Sequence, residues 1–288
     1  MYTAQFDYRA PTSVEEVIAA LGELGDEGRI LAGGQSLIPL MKLRLATPGV
    51  LIDINRVEGL DFIEASNGSL RIGPLVRHND MVRSELANTN HTVASAAPWI
   101  SDPLVRNLGT VCGSVAYCDP RGDWNSVMLA LRGEVVGRSS QGERVIAIDD
   151  FIVDFFTNSL QPDEMITEVR IPHTDGSSGG DYIKLERKIN DYATVAVATH
   201  LGLDAGGRIE QAGIALTAVN PINTRATAAE EVLIGETPSD ELFSEAAELA
   251  ARAAEPEDSI RGSAKWKTAV TRTFTKRGLD KALDLARS

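Results

Sequence analysis

Cysteine is scarce in this sequence: only Cys112 and Cys118 occur in 288 residues. Two cysteines argue against a disulfide framework, and against an iron–sulfur cluster held by this chain alone, because such a cluster takes several thiolate ligands. Their spacing is not C-x-x-C, and no basic residue adjoins either of them. We therefore expect two small buried side chains rather than a reactive pair.

Long apolar runs are missing as well. No run approaches the roughly 18–20 residues that span a bilayer, and the first residues lack the basic and apolar segments of a secretory signal. We expect no membrane span and a cytoplasmic protein. The formal net charge of −13 argues against binding nucleic acid or an anionic membrane, since both need clustered Lys and Arg. A bound phosphate would depend on local backbone amides.

Several catalytic and nucleotide-binding motifs are absent. The sequence has no G-x-G-x-x-G and no G-x-x-x-x-G-K-[ST], which disfavours a Rossmann dinucleotide site and a P-loop. It has no G-x-S-x-G of a serine hydrolase. Its four histidines are scattered without H-x-H or H-E-x-x-H spacing, so a metal site is not expected.

The chain is long enough for two domains, and helix and strand patterns run throughout it. Ser13 followed by Glu16 forms a capping-box pattern before the first helix. Short apolar segments predict buried strands, and intervening helical patterns predict a small α/β layer near the N-terminus. The main predicted elements are strands 29–32, 50–54, 70–72, 134–139, 144–148 and 165–171, and helices 36–45, 80–87 (capped by Asn79), 92–97 and 127–131.

A glycine-rich segment, HTDGSSGG at 173–180, resembles a linker between two domains. We place the boundary there, which gives domains 1–175 and 176–288. Three strands followed by three helices predict a small α+β domain after the boundary. The predicted strands are 182–187, 194–203 and 213–219, and the predicted helices are 226–233, 240–253 and 263–285.

Two glycine-containing stretches carry the main functional signal. Gly33 and Gly34 follow a predicted strand and precede a predicted helix, where unpaired amides could hold a phosphate. Paired glycines at a strand end are most often only a tight turn. The second stretch, from Gly109 to Ser114, adds small residues and a hydroxyl that could close on the same pyrophosphate. Two such stretches together favour a phosphate site more than either alone.

Three ordered motifs resemble one family. AGGQSLIPLMKLRLATPGVLIDINRV (32–57) is similar to the AGG(H/Q)S…LIDI signature, and LGTVCGSVAYCDPRGDWNS (108–126) to the GTxGG…DPxxD signature, of the FAD-binding medium subunit of molybdenum hydroxylases. ERKINDYATVAVA (186–198) resembles a further motif of that family. The nearest likeness is the carbon monoxide dehydrogenase medium-chain type. The resemblance covers nearly the whole chain.

The resemblance implies an α+β fold: a PCMH-type FAD-binding domain of two small α/β subdomains, then a smaller C-terminal domain with a three-stranded sheet and helices. It also implies partners, namely a large molybdopterin subunit and a small subunit with two [2Fe-2S] clusters, assembled as a dimer of heterotrimers. FAD on this chain would collect electrons from the clusters and pass them to an external acceptor.

The resemblance assigns the FAD pyrophosphate to the two glycine stretches. The implied contacts are Ala32, Gly33, Gly34, Gln35 and Ser36 in the first, and Thr110, Val111, Cys112, Gly113 and Ser114 in the second. The family usually has a second glycine where this chain has Cys112, and Asp or Asn where it has Ser114. The Cys112 contact is therefore the least secure, because a side chain stands where backbone approaches phosphate.

Two more residues are implied by the resemblance. Asp123 corresponds to an acidic residue that reaches a ribose hydroxyl, and Tyr192 to an aromatic residue near the isoalloxazine ring that could gate access to it. Each has a structural alternative: an Asx turn for Asp123 and a core tyrosine for Tyr192. Lys184 and Lys188 could place positive charge near the flavin, although most lysines are simply solvated.

Two other functions stay open at this point. One is a free-standing FAD-dependent oxidase or dehydrogenase, and the other is a nucleotide-binding module without redox turnover. The small second domain leaves little room for a substrate cap, and the sequence contains no clear catalytic base, so both features favour the subunit. Carbon monoxide, an N-heterocycle, an aldehyde or an acyl-CoA thioester all fit as substrates of the complex, because hydroxylation would occur on another chain.

Overall fold

The computed structural model describes residues 2–173 and 177–288. The strands are β1 Asp7–Arg9, β2 Gly28–Leu31, β3 Val50–Asp53, β4 Ile63–Ser66, β5 Ser69–Ile72, β6 Glu134–Ser139, β7 Gly142–Ala147, β8 Ile152–Asp154, β9 Thr157–Asn158, β10 Met165–Pro172, β11 Ser177–Glu186, β12 Ala193–Leu203, β13 Ile209–Thr217 and β14 Thr224–Arg225. The helices are α1 Val14–Leu24, α2 Leu37–Leu43, α3 His78–Arg83, α4 His91–Ala96, α5 Pro103–Leu108, α6 Val111–Tyr117, α7 Asp123–Ala130, α8 Ile148–Phe151, α9 Thr227–Glu231, α10 Asp240–Ala253 and α11 Ala264–Ala286.

The N-terminal subdomain is a three-stranded parallel sheet in the order β1-β3-β2 with α1 and α2. The predicted start of α1 is confirmed: the Ser13 hydroxyl accepts a hydrogen bond from the Glu16 amide at 3.2 Å. The Glu16 carboxylate accepts from the Thr12 amide instead of closing the box on Ser13. Val17 and Leu21 pack on Ile52, so one small core joins α1 to the sheet.

The second subdomain contains a five-stranded antiparallel sheet in the order β4-β5-β10-β6-β7. Helix α6 packs on β10, and α3, α4 and α7 contribute side chains to the same core. The expected helix at 80–87 with Asn79 as its cap is wrong. The helix begins at His78, because the Asp80 carboxylate accepts from the Arg77 amide and the His78 amide donates to Gly109 O. The strands predicted at 134–139 and 144–148 are present as β6 and β7, which pair as a hairpin.

The C-terminal region contains a second antiparallel sheet in the order β11-β12-β13-β14. The three predicted strands are present, and the two-residue β14 adds a short fourth strand beside β13. Strand β12 lies in the middle and alternates by face. Val195 and Val197 contact the core beneath α10 and α11, whereas Ala196 and Ala198 face the core shared with the preceding subdomain. The small side chains allow close approach on that face.

Helix α7 connects the second subdomain to the C-terminal region, and all eight of its residues are buried. A Cβ added to Gly213 of β13 would stand 1.9 Å from Ala130 O, so helix and strand touch through backbone. A Cβ added to Gly180 of β11 would likewise stand 1.9 Å from the Thr92 hydroxyl. The expectation that 173–180 is a linker is therefore wrong for Ser177–Gly180, which belong to β11. Residues 174–176 lie outside the described part, and the domain boundary stays a prediction.

None of the helices in the described residues is both long enough and apolar enough to cross a membrane. The mixed α+β class expected from the sequence is confirmed. The second sheet, α3, α4, α6 and α7 share their core with one face of the C-terminal sheet. The second subdomain and the C-terminal region therefore support each other across their junction, where Asp123 and Lys184 lie.

Candidate functional site

The first glycine loop, Ala32–Ser36, joins β2 to α2. Gly34 has a φ of +70°, a conformation that favours glycine, and its carbonyl accepts from the Ile38 amide at 3.0 Å. The Gln35 side chain donates to Gly33 O at 3.0 Å. Among the hydrogen bonds of the described residues, none is donated by the backbone amides of Gly33 to Ser36. These amides are free to bind an anion.

The second glycine loop, Thr110–Ser114, opens α6, a helix that the sequence interpretation missed. The Thr110 hydroxyl accepts from the Gly113 amide at 3.1 Å and caps the helix. The Val111 amide donates to Val76 O, and the Ser114 amide donates to Thr110 O. Three amides of this loop are therefore committed to the protein.

The structure brings the two loops together at Gly33. A Cβ added there would lie 2.3 Å from Leu108 O and 2.7 Å from the Gly109 Cα. Real Cβ atoms do not approach a carbonyl oxygen so closely. Glycine is therefore required at position 33 by the contact between the loops.

Cys112 does not obstruct the space between the loops. Its side chain is buried in the main core, and its thiol donates to Ile72 O at 3.5 Å. Burial raises the pKa of the Cys112 thiol well above its usual range, and burial raises the pKa of Cys118 to about 12. Both thiols are free and buried, as expected from the sequence. Any contact of Cys112 with a ligand would be made by its backbone.

Asp123, the first residue of α7, is buried and already has partners. Its carboxylate accepts from the Tyr182 hydroxyl at 2.5 Å and from Lys184 Nζ at 3.0 Å. Burial raises the pKa of Asp123, and the positive charge of Lys184 opposes that rise. The Asx turn expected as an alternative is made by Asp119, whose carboxylate accepts from the Arg121 amide. A carboxylate has about four acceptor positions, so Asp123 can still accept from a ligand hydroxyl.

Lys184 is not a solvated lysine. Its ammonium group donates to Trp99 O at 2.9 Å as well as to Asp123, and the residue is only 7% exposed. The pairing neutralises charge within the junction of the two regions. Lys188, the other lysine considered from the sequence, lies in the exposed turn after β11.

Tyr192 is 49% exposed, so the alternative of a core tyrosine is wrong. Burial of its hydroxyl and the nearby Asp119 carboxylate raise the pKa of Tyr192 to about 12. Its backbone is held from the C-terminal region, because Arg261 donates to Tyr192 O at 3.2 Å and to the Asp191 carboxylate at 3.0 Å. The backbone that carries this half-exposed ring is therefore held in place.

His78 and Trp124 were not predicted as part of the site. The Trp124 indole donates to His78 Nδ1 at 3.0 Å, and the imidazole packs against Gly109. Burial, followed by the charges of Arg106 and Arg77, lowers the pKa of His78 to about 4. No local sequence pattern predicts this hydrogen bond, because 46 positions separate the two residues.

The chain is similar to known proteins over its whole length. The family described as "FAD binding domain in molybdopterin dehydrogenase" matches residues 4–174, and the "CO dehydrogenase flavoprotein C-terminal domain" matches residues 181–282. The 6-hydroxypseudooxynicotine dehydrogenase complex subunit alpha of Paenarthrobacter nicotinovorans is 38% identical over all of this chain and 97% of its own length. The carbon monoxide dehydrogenase medium chain of Hydrogenophaga pseudoflava is 36% identical over 98% of each chain.

A solved structure has the same fold over its whole length. It is carbon monoxide dehydrogenase from Hydrogenophaga pseudoflava lacking the Mo-pyranopterin moiety of the molybdenum cofactor, with a TM-score of 0.94, 38% identity and 99% coverage of both chains. The two family matches follow each other along the chain, and the relatives align from end to end. The chain therefore belongs to the FAD-binding medium subunits of the molybdenum hydroxylases, the family of the carbon monoxide dehydrogenase medium chain.

Proposed function

We propose that this chain carries FAD as the electron-transfer subunit of a heteromeric molybdenum hydroxylase, between the [2Fe-2S] clusters of a partner subunit and an external acceptor. One observation carries the proposal: Gly33 touches Leu108 O and Gly109, which places the free amides of the first glycine loop beside the second loop. Such a surface fits a pyrophosphate, whose oxygens accept hydrogen bonds from several amides at once.

The two loops would bind the pyrophosphate in different ways. The first would donate hydrogen bonds from the amides of Gly33, Gly34, Gln35 and Ser36, and Ala32 would be the residue at which the loop begins. The second would supply the amides of Thr110 and Cys112 and the Ser114 hydroxyl, because the amides of Val111, Gly113 and Ser114 already have partners. Val111 and Gly113 would then contribute only the backbone conformation of the loop.

Asp123 and Tyr192 complete the proposed site. Asp123 would accept a ribose hydroxyl while Lys184 and Tyr182 hold its carboxylate in place. Tyr192 would cover one face of the isoalloxazine and control what reaches it, since its backbone is fixed and its ring half-exposed. When bound, FAD supplies chemistry that exchanges electrons singly or in pairs. The protein supplies position, charge and access.

The assembly and location belong to the same proposal. The partners would be a large molybdopterin subunit and a small iron–sulfur subunit, in a dimer of heterotrimers. The relatives are subunits of a dehydrogenase complex and of carbon monoxide dehydrogenase, which supports a heteromeric enzyme. Two buried free thiols fit a reducing cytoplasm. Relatives that act on 6-hydroxypseudooxynicotine and on carbon monoxide are almost equally similar, so the substrate is set by another chain.

We also propose a domain boundary near residue 175. The two family matches, which end at 174 and begin at 181, support it. The strand Ser177–Glu186 then belongs to the C-terminal domain, although it packs on α4 of the first.

Titration of FAD into the purified full chain tests cofactor binding. We expect the bound flavin spectrum at one FAD per chain, and a chain without flavin bands in excess FAD would overturn the proposal. Isolation of the native complex tests the rest. Copurification with a molybdenum subunit and an iron–sulfur subunit is expected, whereas a chain that runs alone and reduces its flavin with an organic substrate would be a free-standing flavoenzyme.

A further inference from the structure

The two glycine loops follow elements of different subdomains. The first extends from β2 of the parallel sheet, and the second follows α5, which contacts α3 of the second subdomain. A pyrophosphate bound between them needs their separation to be fixed before it arrives, because ordering them on binding would weaken affinity. Side chains that hydrogen-bond to both loops would fix that separation.

Arg77 hydrogen-bonds to the backbone carbonyl that lies just before the second glycine loop. Its guanidinium donates from Nη1 to Leu108 O at 2.5 Å, the same carbonyl that faces Gly33. Its own amide donates to the Asp80 carboxylate at 2.8 Å, which fixes the backbone before α3. Burial lowers the pKa of Arg77 while nearby carboxylates oppose the change, and the group remains charged.

Asn55 continues the connection to the first loop. Arg77 Nη2 donates to Asn55 Oδ1 at 2.6 Å, and Asn55 Nδ2 donates to Ala32 O at 2.9 Å. Asp53 orients the amide, since its carboxylate accepts from Asn55 Nδ2 at 2.6 Å and from the Asn55 backbone amide at 2.9 Å. The Tyr8 hydroxyl in turn donates to the other Asp53 oxygen at 2.6 Å.

We propose that the Arg77–Asn55 link, a hydrogen-bonded connection from Leu108 O to Ala32 O, positions the two glycine loops for pyrophosphate binding. Both are positioning residues, since their bonds go to loop carbonyls rather than to a ligand. The inference rests on the proposed FAD site, and it identifies the side chains that set the distance between the two loops. It also explains why Gly33 can sit against Leu108 O, since the same carbonyl is held from its other side by Arg77.

Arginine suits this position better than lysine. Its planar guanidinium directs separate N–H groups toward two acceptors at once, and here they serve Leu108 O and Asn55 Oδ1. A lysine would keep the charge but would present one nitrogen on a flexible chain. Charge alone therefore should not preserve the loop separation.

The test measures FAD affinity of the full chain after removal of bound flavin. The variants are Arg77→Met, Arg77→Lys, Asn55→Leu and the double variant Arg77→Met/Asn55→Leu, and the matched control is Arg56→Met. Arg56 lines the same surface cavity as Asn55 and Arg77, and its side chain appears in no hydrogen bond or ion pair of the described residues; it acts on Asp53 only through its charge. Thermal unfolding of each apo chain is recorded in parallel.

We expect each single variant, Arg77→Lys included, to weaken FAD binding by about tenfold or more. The double variant should bind no more weakly than Arg77→Met, because both changes break one link. Arg56→Met should bind FAD like the unaltered chain. If Arg77→Met fails to fold, Arg77→Lys and Asn55→Leu still decide the result.

Three outcomes would overturn the inference: unchanged FAD affinity in folded Arg77→Lys and Asn55→Leu, strictly additive losses in the double variant, or affinity losses fully accounted for by the unfolded fraction of each apo chain. Each of these requires that the unaltered chain bind FAD. A chain that takes up no FAD before any substitution would instead contradict the proposed function, so the two failures are distinguishable.

Discussion

The first and second glycine loops are both small-residue segments that open a helix, but they are built differently. The first has half-buried residues and free amides between β2 and α2. In the second, the side chains of Thr110, Val111 and Cys112 are buried in the main core, and most amides bond to protein. A loop with free donors can bind an anion, whereas a loop with committed donors serves as a rigid wall. The family motif does not reveal this difference.

The strongest test of the comparison is Gly33→Ala. The added methyl would overlap Leu108 O, so the loops must separate by a distance on the order of 1 Å, and we expect FAD affinity to fall about 100-fold. The measurement is FAD titration with circular dichroism of the apo chain. Gly49→Ala is the matched control, because the nearest atom to its added carbon, Glu27 Cβ, is 3.6 Å away. Equal affinity in the two variants would remove the contact from the site.

A second test concerns the pH dependence of stability and His78, which packs behind the second loop. The unfolded chain takes up a proton at His78 near pH 6.5, but the folded chain does so only near pH 4, so stability falls as pH drops through that window. We expect this residue to remove on the order of 2 kcal/mol by pH 4.5. His78→Gln should flatten the profile of unfolding free energy against pH.

His200 is also buried, and burial lowers its pKa to about 4, so part of the acid sensitivity remains in the His78 variant. An identical slope in His78→Gln and the unaltered chain would contradict the prediction.

A third test weakens the second loop alone. Thr110→Val keeps the shape of the side chain but removes the hydroxyl that accepts from the Gly113 amide. We expect a loss of about 1 kcal/mol in the free energy of unfolding, measured in urea, and weaker FAD binding than in the unaltered chain. Thr110→Ser should recover most of both, since serine caps helices as well as threonine does. Failure of serine to do so would assign the effect to packing instead of the cap.

The smallest effect on cofactor binding is expected from Cys112→Ala. The thiol faces Ile72 O in the core, so its removal should lower stability by about 1 kcal/mol while FAD affinity stays the same. Chemical denaturation and FAD titration measure the two quantities separately. A marked change in affinity at constant stability would mean that the thiol reaches the cofactor.

Elements with strong local signals were predicted well. Ser13 and Glu16 predicted the start of α1, and alternating or apolar runs predicted the strands of the C-terminal sheet. Helices α5 and α6 were missed because their residues are small or mixed in character and show no clear helical period. The start of α3 was misplaced because a bond from His78 to Gly109, over thirty positions away, outweighs the local preference of Asn79 for a cap.

The sequence alone determined the family and the cofactor, because these depend on short ordered motifs, whereas the need for glycine at position 33 depends on the tertiary contact with Leu108 O. Only the tertiary structure decided that Cys112 points into the core, that Lys184 pairs with Asp123 and that Arg77 and Asn55 connect the two loops. Those features depend on the approach of segments 22 to 61 positions apart. Packing of the whole chain determines which residues come into contact over such separations. Short sequence motifs therefore do not predict these contacts.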